Sequence, residues 1–258
     1  MKIAAAQMDI AWHDRSLNHA RARQYATEAE AAGADLLVFP EMFSTGFSMD
    51  TSITAESLEG PTPRLFRDMA LEHGLTVVGG FVLEIKDNRP KNVSLAVDRH
   101  GRDVALYAKI HLFTPLGENV YYDPGERPVP FDIQGFRAAC LVCYDLRFPE
   151  LFRTIADHCE LIIIIASWPA VRQTHWNLLL RARAVENQCF VAGVNRTGEG
   201  GGHLFSGGSA IIDPAGETVA EGGNKERLLI ADIDQDRVGE VRTAMPFLKD
   251  RKPHLFGI

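Results

Sequence analysis

Long apolar runs, basic blocks and a disulfide framework are all missing from this 258-residue chain. The most apolar burst, Leu161 to Ala166, suits a buried strand and is far too short to span a bilayer. The opening Met1-Lys2-Ile3-Ala4-Ala5-Ala6-Gln7 turns polar too soon to read as a secretory signal. Lys and Arg number 27 against 34 Asp and Glu, a net charge of −7 with no basic cluster, so nucleic acid is not an expected partner and neither is a membrane. The four cysteines, Cys140, Cys143, Cys159 and Cys189, form no secreted-type pattern, which points to a reducing cytoplasm. Cys140-Leu141-Val142-Cys143 has C-x-x-C spacing, but no second pair supplies the other ligands of a metal site. Cys140 also lies inside a strand-like run, whereas a redox dithiol opens a helix. His111, His175 and His203 show no ligand spacing, and no phosphate-loop motif is present. Metal or redox use of the Cys140–Cys143 pair is therefore not expected.

What remains is the make-up of an ordinary globular enzyme, 46% hydrophobic and 24% charged, long enough for one large core. With no linker in sight, residues 1–258 read as a single domain. Residues 245–258 read as a tail whose Phe247, Leu255 and Phe256 suggest docking on the domain or on a second subunit. Strands are expected at 2–8, 36–39, 76–83, 92–97, 104–108, 136–142, 161–166, 190–195, 209–212, 218–221 and 228–233. Helices are expected from Asp14 or Ser16 to Ala32, from a Thr62-Pro63 start to Gly74, over 149–158 and 174–187, and after an Asp234 cap. The turn Asp98-Arg99-His100-Gly101 makes two of the strands a hairpin, so the sheet is mixed. Residues 117–130 read as irregular, and glycine-rich Thr197 to Gly202 as a flexible lid or rim loop. Segments 34–41 and 159–166 echo one another faintly, as two facing α/β halves would.

Three of these strands end in an ionisable side chain: Glu41, Lys109 and Cys143. Open α/β sheets gather their chemistry at the carboxyl ends of strands. Cys143 also precedes Pro149, which fits the first turn of a helix; unpartnered backbone N–H groups there are expected to lower the thiol pKa and favour the thiolate. Singly, each residue has a bland reading. A free cysteine is more often core than nucleophile, a lone glutamate is ordinarily solvated, and a strand lysine deters edge pairing. The coincidence of three strand ends is what favours a site. Asp145 and Arg147 are expected to pair and hold the cysteine turn. Trp168, ending 161–166, reads as pocket wall rather than core.

Phe39-Pro40-Glu41, Lys109-Ile110-His111-Leu112 and Cys143-Tyr144-Asp145-Leu146-Arg147-Phe148-Pro149-Glu150, in that order, resemble the glutamate, lysine and cysteine segments of the nitrilase, or carbon–nitrogen hydrolase, superfamily. Glu41 to Phe47, Ser167-Trp168-Pro169 and Arg181 to Gln188 are similar to its omega-amidases. The resemblance implies an α/β fold, a four-layer α-β-β-α sandwich with mixed sheets, forming a homodimer through helices and the C-terminal tail, without metal or organic cofactor. It implies a Glu41–Lys109–Cys143 triad, with Glu118 matching a second glutamate. It further implies hydrolysis of small linear omega-monoamides of dicarboxylic acids, such as 2-oxoglutaramate or succinamate, to acid and ammonia.

Under that resemblance Cys143 attacks the amide carbon and carries the acyl group as a thioester. Glu41 takes the thiol proton, protonates the departing ammonia and then activates water. Lys109, protonated among carboxylates, faces the oxyanion together with the backbone N–H of Tyr144. Glu118 positions Lys109 or the substrate. Phe43 is expected to line the mouth, Trp168 the wall, and Arg172 to receive the substrate carboxylate. Two other readings stand beside this one: an N-carbamoyl amine or aliphatic amide hydrolase, and a non-catalytic binding scaffold on the same fold. A scaffold has no need of all three triad residues, and a nitrile hydrolase is expected to carry more chain after Pro246.

Overall fold

The structure, a computed structural model, describes residues 1–255; the end of the expected tail, with Phe256, lies outside the described residues. The first half of the chain forms β1 (Lys2–Gln7), α1 (Arg15–Ala31), β2 (Leu36–Val38), the single turn α2 (Thr51–Thr54), β3 (Ala55–Glu56), α3 (Pro61–His73), β4 (Thr76–Leu83), β5 (Lys91–Val97) and β6 (Asp103–Ala108). The second half forms the single turn α4 (Glu118–Tyr121), β7 (Phe131–Ile133), β8 (Phe136–Val142), α5 (Pro149–Ile155), β9 (Leu161–Ala166), α6 (Gln173–Asn187), β10 (Phe190–Asn195), β11 (Thr197–Gly200), β12 (His203–Ser206), β13 (Ala210–Ile212), β14 (Thr218–Glu221), β15 (Arg227–Asp232) and α7 (Gln235–Ala244).

Two mixed sheets result. One runs β15-β1-β2-β4-β5-β6 with β3 beside β4, and the other runs β14-β13-β10-β9-β8-β7. Each has three parallel strands at its heart: β1, β2 and β4 in the first, β8, β9 and β10 in the second. Parallel strands covered on both faces need apolar side chains throughout, which is why β9 reads Leu-Ile-Ile-Ile-Ile-Ala. Alternation assigns the layers. Ile3, Ala5, Leu36 and Val38 join a core shared with the second sheet, while Ala4, Ala6, Leu37 and Phe39 pack with Ala22, Ala26, Phe66 and Met69 of α1 and α3. Leu151, Phe152, Trp176 and Leu180 of α5 and α6 join the core on the second sheet. The molecule is therefore an α-β-β-α sandwich.

Local chemistry sets the element ends. Asp14 caps α1, its side chain accepting from Leu17 N at 2.9 Å. α3 starts two residues earlier than expected. Gly60 holds the cap position and Pro61 the first turn, while the Thr62 N–H donates to Glu56 Oε2 at 2.7 Å instead of Thr62 serving as cap. The helix after Cys143 stops at Ile155, short of His158. Thr197 to Gly202 is no loose loop. It belongs to the β11–β12 hairpin, whose turn residues Gly201 and Gly202 have φ of 56° and 79°. Two consecutive positive φ values are what a tight hairpin turn demands, and glycine supplies them without strain. The tail returns to the domain, where Arg251 meets Asp157 at 3.2 Å and the Arg153 carbonyl at 3.3 Å.

Candidate active site

Four chain segments converge at one end of the paired sheets. Glu41 lies just past β2, Cys143 just past β8 and Ser167-Trp168 just past β9, all at carboxyl ends. β6 is antiparallel to β5, and β5 to β4, so β6 points the same way as β2 and delivers Lys109 to the same edge. The reversed β5 brings its first residues there too, among them Asn92. Glu118 opens α4, in the stretch read from sequence as irregular. Gly80 makes the approach tight. A Cβ at this position would sit 2.7 Å from Met42 N and 2.8 Å from Glu41 Cα.

Glu41, Lys109 and Glu118 are fully buried. Lys109 Nζ donates to Glu41 Oε1 at 2.9 Å and to Glu118 Oε2 and Oε1 at 2.9 and 3.1 Å. Glu41 Oε1 also accepts from Asn92 Nδ2 at 2.8 Å, and its Oε2 from Ser167 N at 2.9 Å. Glu118 accepts from Asn92 Nδ2 at 2.9 Å and from Phe113 N. Burial penalises the Lys109 ammonium, but the carboxylates of Glu118 and Glu41 more than offset it and hold the lysine charged. Phe47 lies under that ammonium, 5.2 Å from Nζ to ring centroid.

Cys143 adopts a left-handed backbone, φ 48°, at the head of a 3-10 turn running to Arg147. Its thiol departs from the expected thiolate. Burial, followed by the Glu41 carboxylate beside it, pushes its pKa well above the ordinary range, outweighing the attraction of Lys109. The resting pair is a thiol next to a carboxylate, so proton removal accompanies attack.

Asp145 does not pair with Arg147. Its buried carboxylate accepts from Tyr107 Oη at 2.7 Å, Val142 N at 3.0 Å, and His111 N and Nδ1 at 3.0 and 2.9 Å. It thereby ties the cysteine turn to the segment after Lys109. His111 stacks on Phe148 with ring centroids 3.7 Å apart. Arg147 is released to a pocket that it shares with Glu41, Lys109, Cys143, Trp168, Arg172 and His203. The Arg147 guanidinium lies 4.6 Å over the Trp168 ring and that of Arg172 lies 5.1 Å over Phe113. Burial and the neighbouring Arg172 lower the Arg147 pKa. Trp168 is held by Asn195, which accepts from its N–H at 2.8 Å and donates to its carbonyl at 3.1 Å.

The structure thus brings Glu41, Lys109, Cys143, Glu118, Tyr144, Trp168 and Arg172 to one pocket or its floor. Phe43 is a correction. It is fully buried between Phe39 and Phe66, with ring centroids 4.9 and 5.5 Å away, and Phe47 lines the pocket in its place. Residues 41–46 form a turn, with Met42 at φ 44° and Gly46 at φ 82°, so strand alternation does not carry through to Phe43. Asn92 and Phe47 escaped the sequence reading, and Arg147, expected on Asp145, stands in the pocket instead. Among the described residues, no cluster of three or more His, Cys, Asp or Glu is placed to hold a metal, and no helix is long and apolar enough to cross a membrane.

Residues 2–243 match the family model described as carbon–nitrogen hydrolase. A 2-oxoglutaramate amidase of Bacillus subtilis is 36% identical over 256 residues, covering 98% of each chain. A protein of that superfamily from Xanthomonas campestris, solved with an arsenic adduct in its active site, superposes with a TM-score of 0.93 at 33% identity over 98% of this chain and 97% of its own. A glutamate-to-glutamine variant of a Nesterenkonia amidase, solved with the acetamide moiety of fluoroacetamide added covalently at its active-site cysteine, gives 0.89 at 30% identity over 99% and 95%.

Proposed function

The chain belongs to the carbon–nitrogen hydrolase family, and from that premise we propose that it is a cysteine-dependent omega-amidase. It hydrolyses small linear monoamides of dicarboxylic acids, of the 2-oxoglutaramate or succinamate kind, to acid and ammonia through a thioester. The observation that carries this reading is one pocket holding both the Cys143 thiol beside a buried carboxylate–ammonium pair and two arginines, Arg147 and Arg172, with no acidic partner among the described residues.

In the mechanism, Glu41 takes the Cys143 proton as sulfur attacks the amide carbon. Negative charge moves to the carbonyl oxygen, met by Lys109 and the Tyr144 N–H; one such donor contributes about 3–4 kcal/mol. Glu41 then protonates the departing ammonia and draws a proton from the water that cleaves the thioester. Glu118 holds Lys109 in place. Arg147, with Arg172 near it, receives the distal carboxylate; planar guanidinium groups resting on aromatic rings suit that role. Among the described residues that line the pocket, Glu41 is the one carboxylate and is engaged in the catalytic group, so an α-ammonium would find two cations and no counter-ion among them. Oxo and plain acids are therefore preferred to glutamine. Hydrolysis of N-carbamoyl amines and a non-catalytic scaffold are less favoured by this arrangement.

The protein acts in the cytoplasm as a homodimer. Support for the dimer is an exposed apolar series, Val171, Leu178 and Val185, seven residues apart along α6 and the turn before it. The decisive experiment is ammonia release from 2-oxoglutaramate, succinamate, glutamine and an N-carbamoyl amine, with Cys143→Ala alongside. Release from the first two that disappears in the variant supports the proposal. Release from the carbamoyl amine alone, or from none, overturns it.

A further inference from the structure

Two fully buried carboxylates share one ammonium in this site. Uncompensated buried charge is costly, and some neutral group must offset it. The Asn92 amide does so, its Nδ2 standing 2.8 Å from Glu41 Oε1 and 2.9 Å from Glu118 Oε1, one hydrogen for each. The Asn92 backbone carbonyl accepts from Lys109 N at 2.9 Å, so the β5–β6 pairing locks this amide beside the lysine. Its orientation is fixed, because the reverse would set the amide oxygen against two carboxylates. That oxygen, Oδ1, is buried and has no hydrogen-bond partner among the described residues. Both donors of this amide are used on the glutamates.

The donors of Lys109 complete the account. Its three N–H bonds are directed at Glu41 Oε1, Glu118 Oε2 and Glu118 Oε1, the last contact being the longest at 3.1 Å. None is left for an oxyanion. Because Glu118 Oε1 is also served by Asn92, the long contact is the one that can be given up.

We propose that Asn92 is a positioning residue of the amidase site: it holds the Glu41 and Glu118 carboxylates together, so that one N–H of Lys109 can turn to the substrate's developing oxyanion. This rests on the amidase reading above. The other titratable or charged groups around the pair are Lys109, Cys143 and Tyr122. Tyr122 is pushed up to about 12 by burial, so it stays neutral throughout the working range.

The test is the pH dependence of kcat and KM for 2-oxoglutaramate in Asn92→Ala and Asn92→Ser. Asn92→Ala is expected to lower kcat about 100-fold with KM changed less than about threefold, since the lost interaction matters most when the oxyanion forms. The amide touches the group that takes the thiol proton, so the acidic limb of kcat/KM is displaced in Asn92→Ala. Asn92→Ser, which keeps one donor, recovers part of each effect. In combination with Glu118→Gln, Asn92→Ala costs less than it does alone, because both act through one network. A variant that melts earlier yet keeps the wild-type acidic limb and kcat overturns the proposal. The pH profile of Cys143 alkylation by iodoacetamide is measured in parallel and needs no amide substrate. If wild type releases no ammonia, the amidase reading fails, while an alkylation limb that shifts in Asn92→Ala still supports the positioning role and one that does not shift overturns it.

Discussion

Among single residues, the thiol of Cys143 is held protonated at rest, which makes Glu41 indispensable to it. Cys143→Ala should abolish ammonia release and leave the melting temperature within about 2 °C of wild type, because a side chain that is not core removes little packing. A fall of about 10 °C would mark Cys143 as structural. Arg147→Leu should raise KM for 2-oxoglutaramate about 10–100-fold, the loss of a charge-assisted hydrogen bond, and leave a neutral amide such as propionamide unaffected. Equal losses on both substrates would remove Arg147 from carboxylate recognition. At this scale the sequence was readable where one rule applied: Glu41, Lys109 and Cys143 each end a strand. Asn92 begins a strand, and only the reversal of β5 brings it to the same edge. Arg147 follows Asp145 by two positions, and nothing in that spacing tells that Tyr107 and His111 occupy the carboxylate.

Among elements, the turn after β2 rests on β4 with no room between them. Gly80 N donates to Pro40 O and Gly80 O accepts from Phe43 N, each at 3.2 Å, bracketing Glu41. Gly80→Ala should push this turn away and separate Glu41 from the thiol. We expect kcat to fall at least tenfold, with about 1–3 kcal/mol of stability lost to overpacking, read by initial rates and thermal melts. Unchanged kcat would show that the turn has slack. Strands β8, β9 and β10 were legible to the residue, because apolar runs with clear ends admit little else. The β11–β12 hairpin was not, since glycines that look like flexibility were serving a tight turn. It carries His203 and Phe205 to the pocket, so this stretch is a wall rather than loose chain.

For the whole molecule, two expectations follow. Leu178→Glu, in the exposed series on α6, should halve the mass measured by sedimentation if that face joins two copies; an unaltered dimer mass would place the interface elsewhere. The second concerns acid. Burial, aided by Arg15 and Arg23, lowers His19 from 6.5 to about 4. Between those values the unfolded chain binds the proton and the folded one does not, so stability falls as pH drops from 6.5 through 4. Allowing for the partial exposure of His19, its share is about 1–2 kcal/mol. Denaturant melts of wild type and His19→Gln should converge on this account as pH falls, and parallel curves would refute it. The four-layer arrangement came from the family resemblance. Periodicity alone shows alternating and continuous apolar strands but not which sheet each one joins.

The left-handed backbone of Cys143 separates two variants that are equally dead. Alanine at 143 keeps a Cβ in a conformation that disfavours one, whereas glycine is at ease there. Cys143→Gly should therefore outlast Cys143→Ala in a thermal melt by roughly 1 kcal/mol. Selection for robustness alone would have placed glycine at this position, and only the demand for turnover keeps a side chain on it.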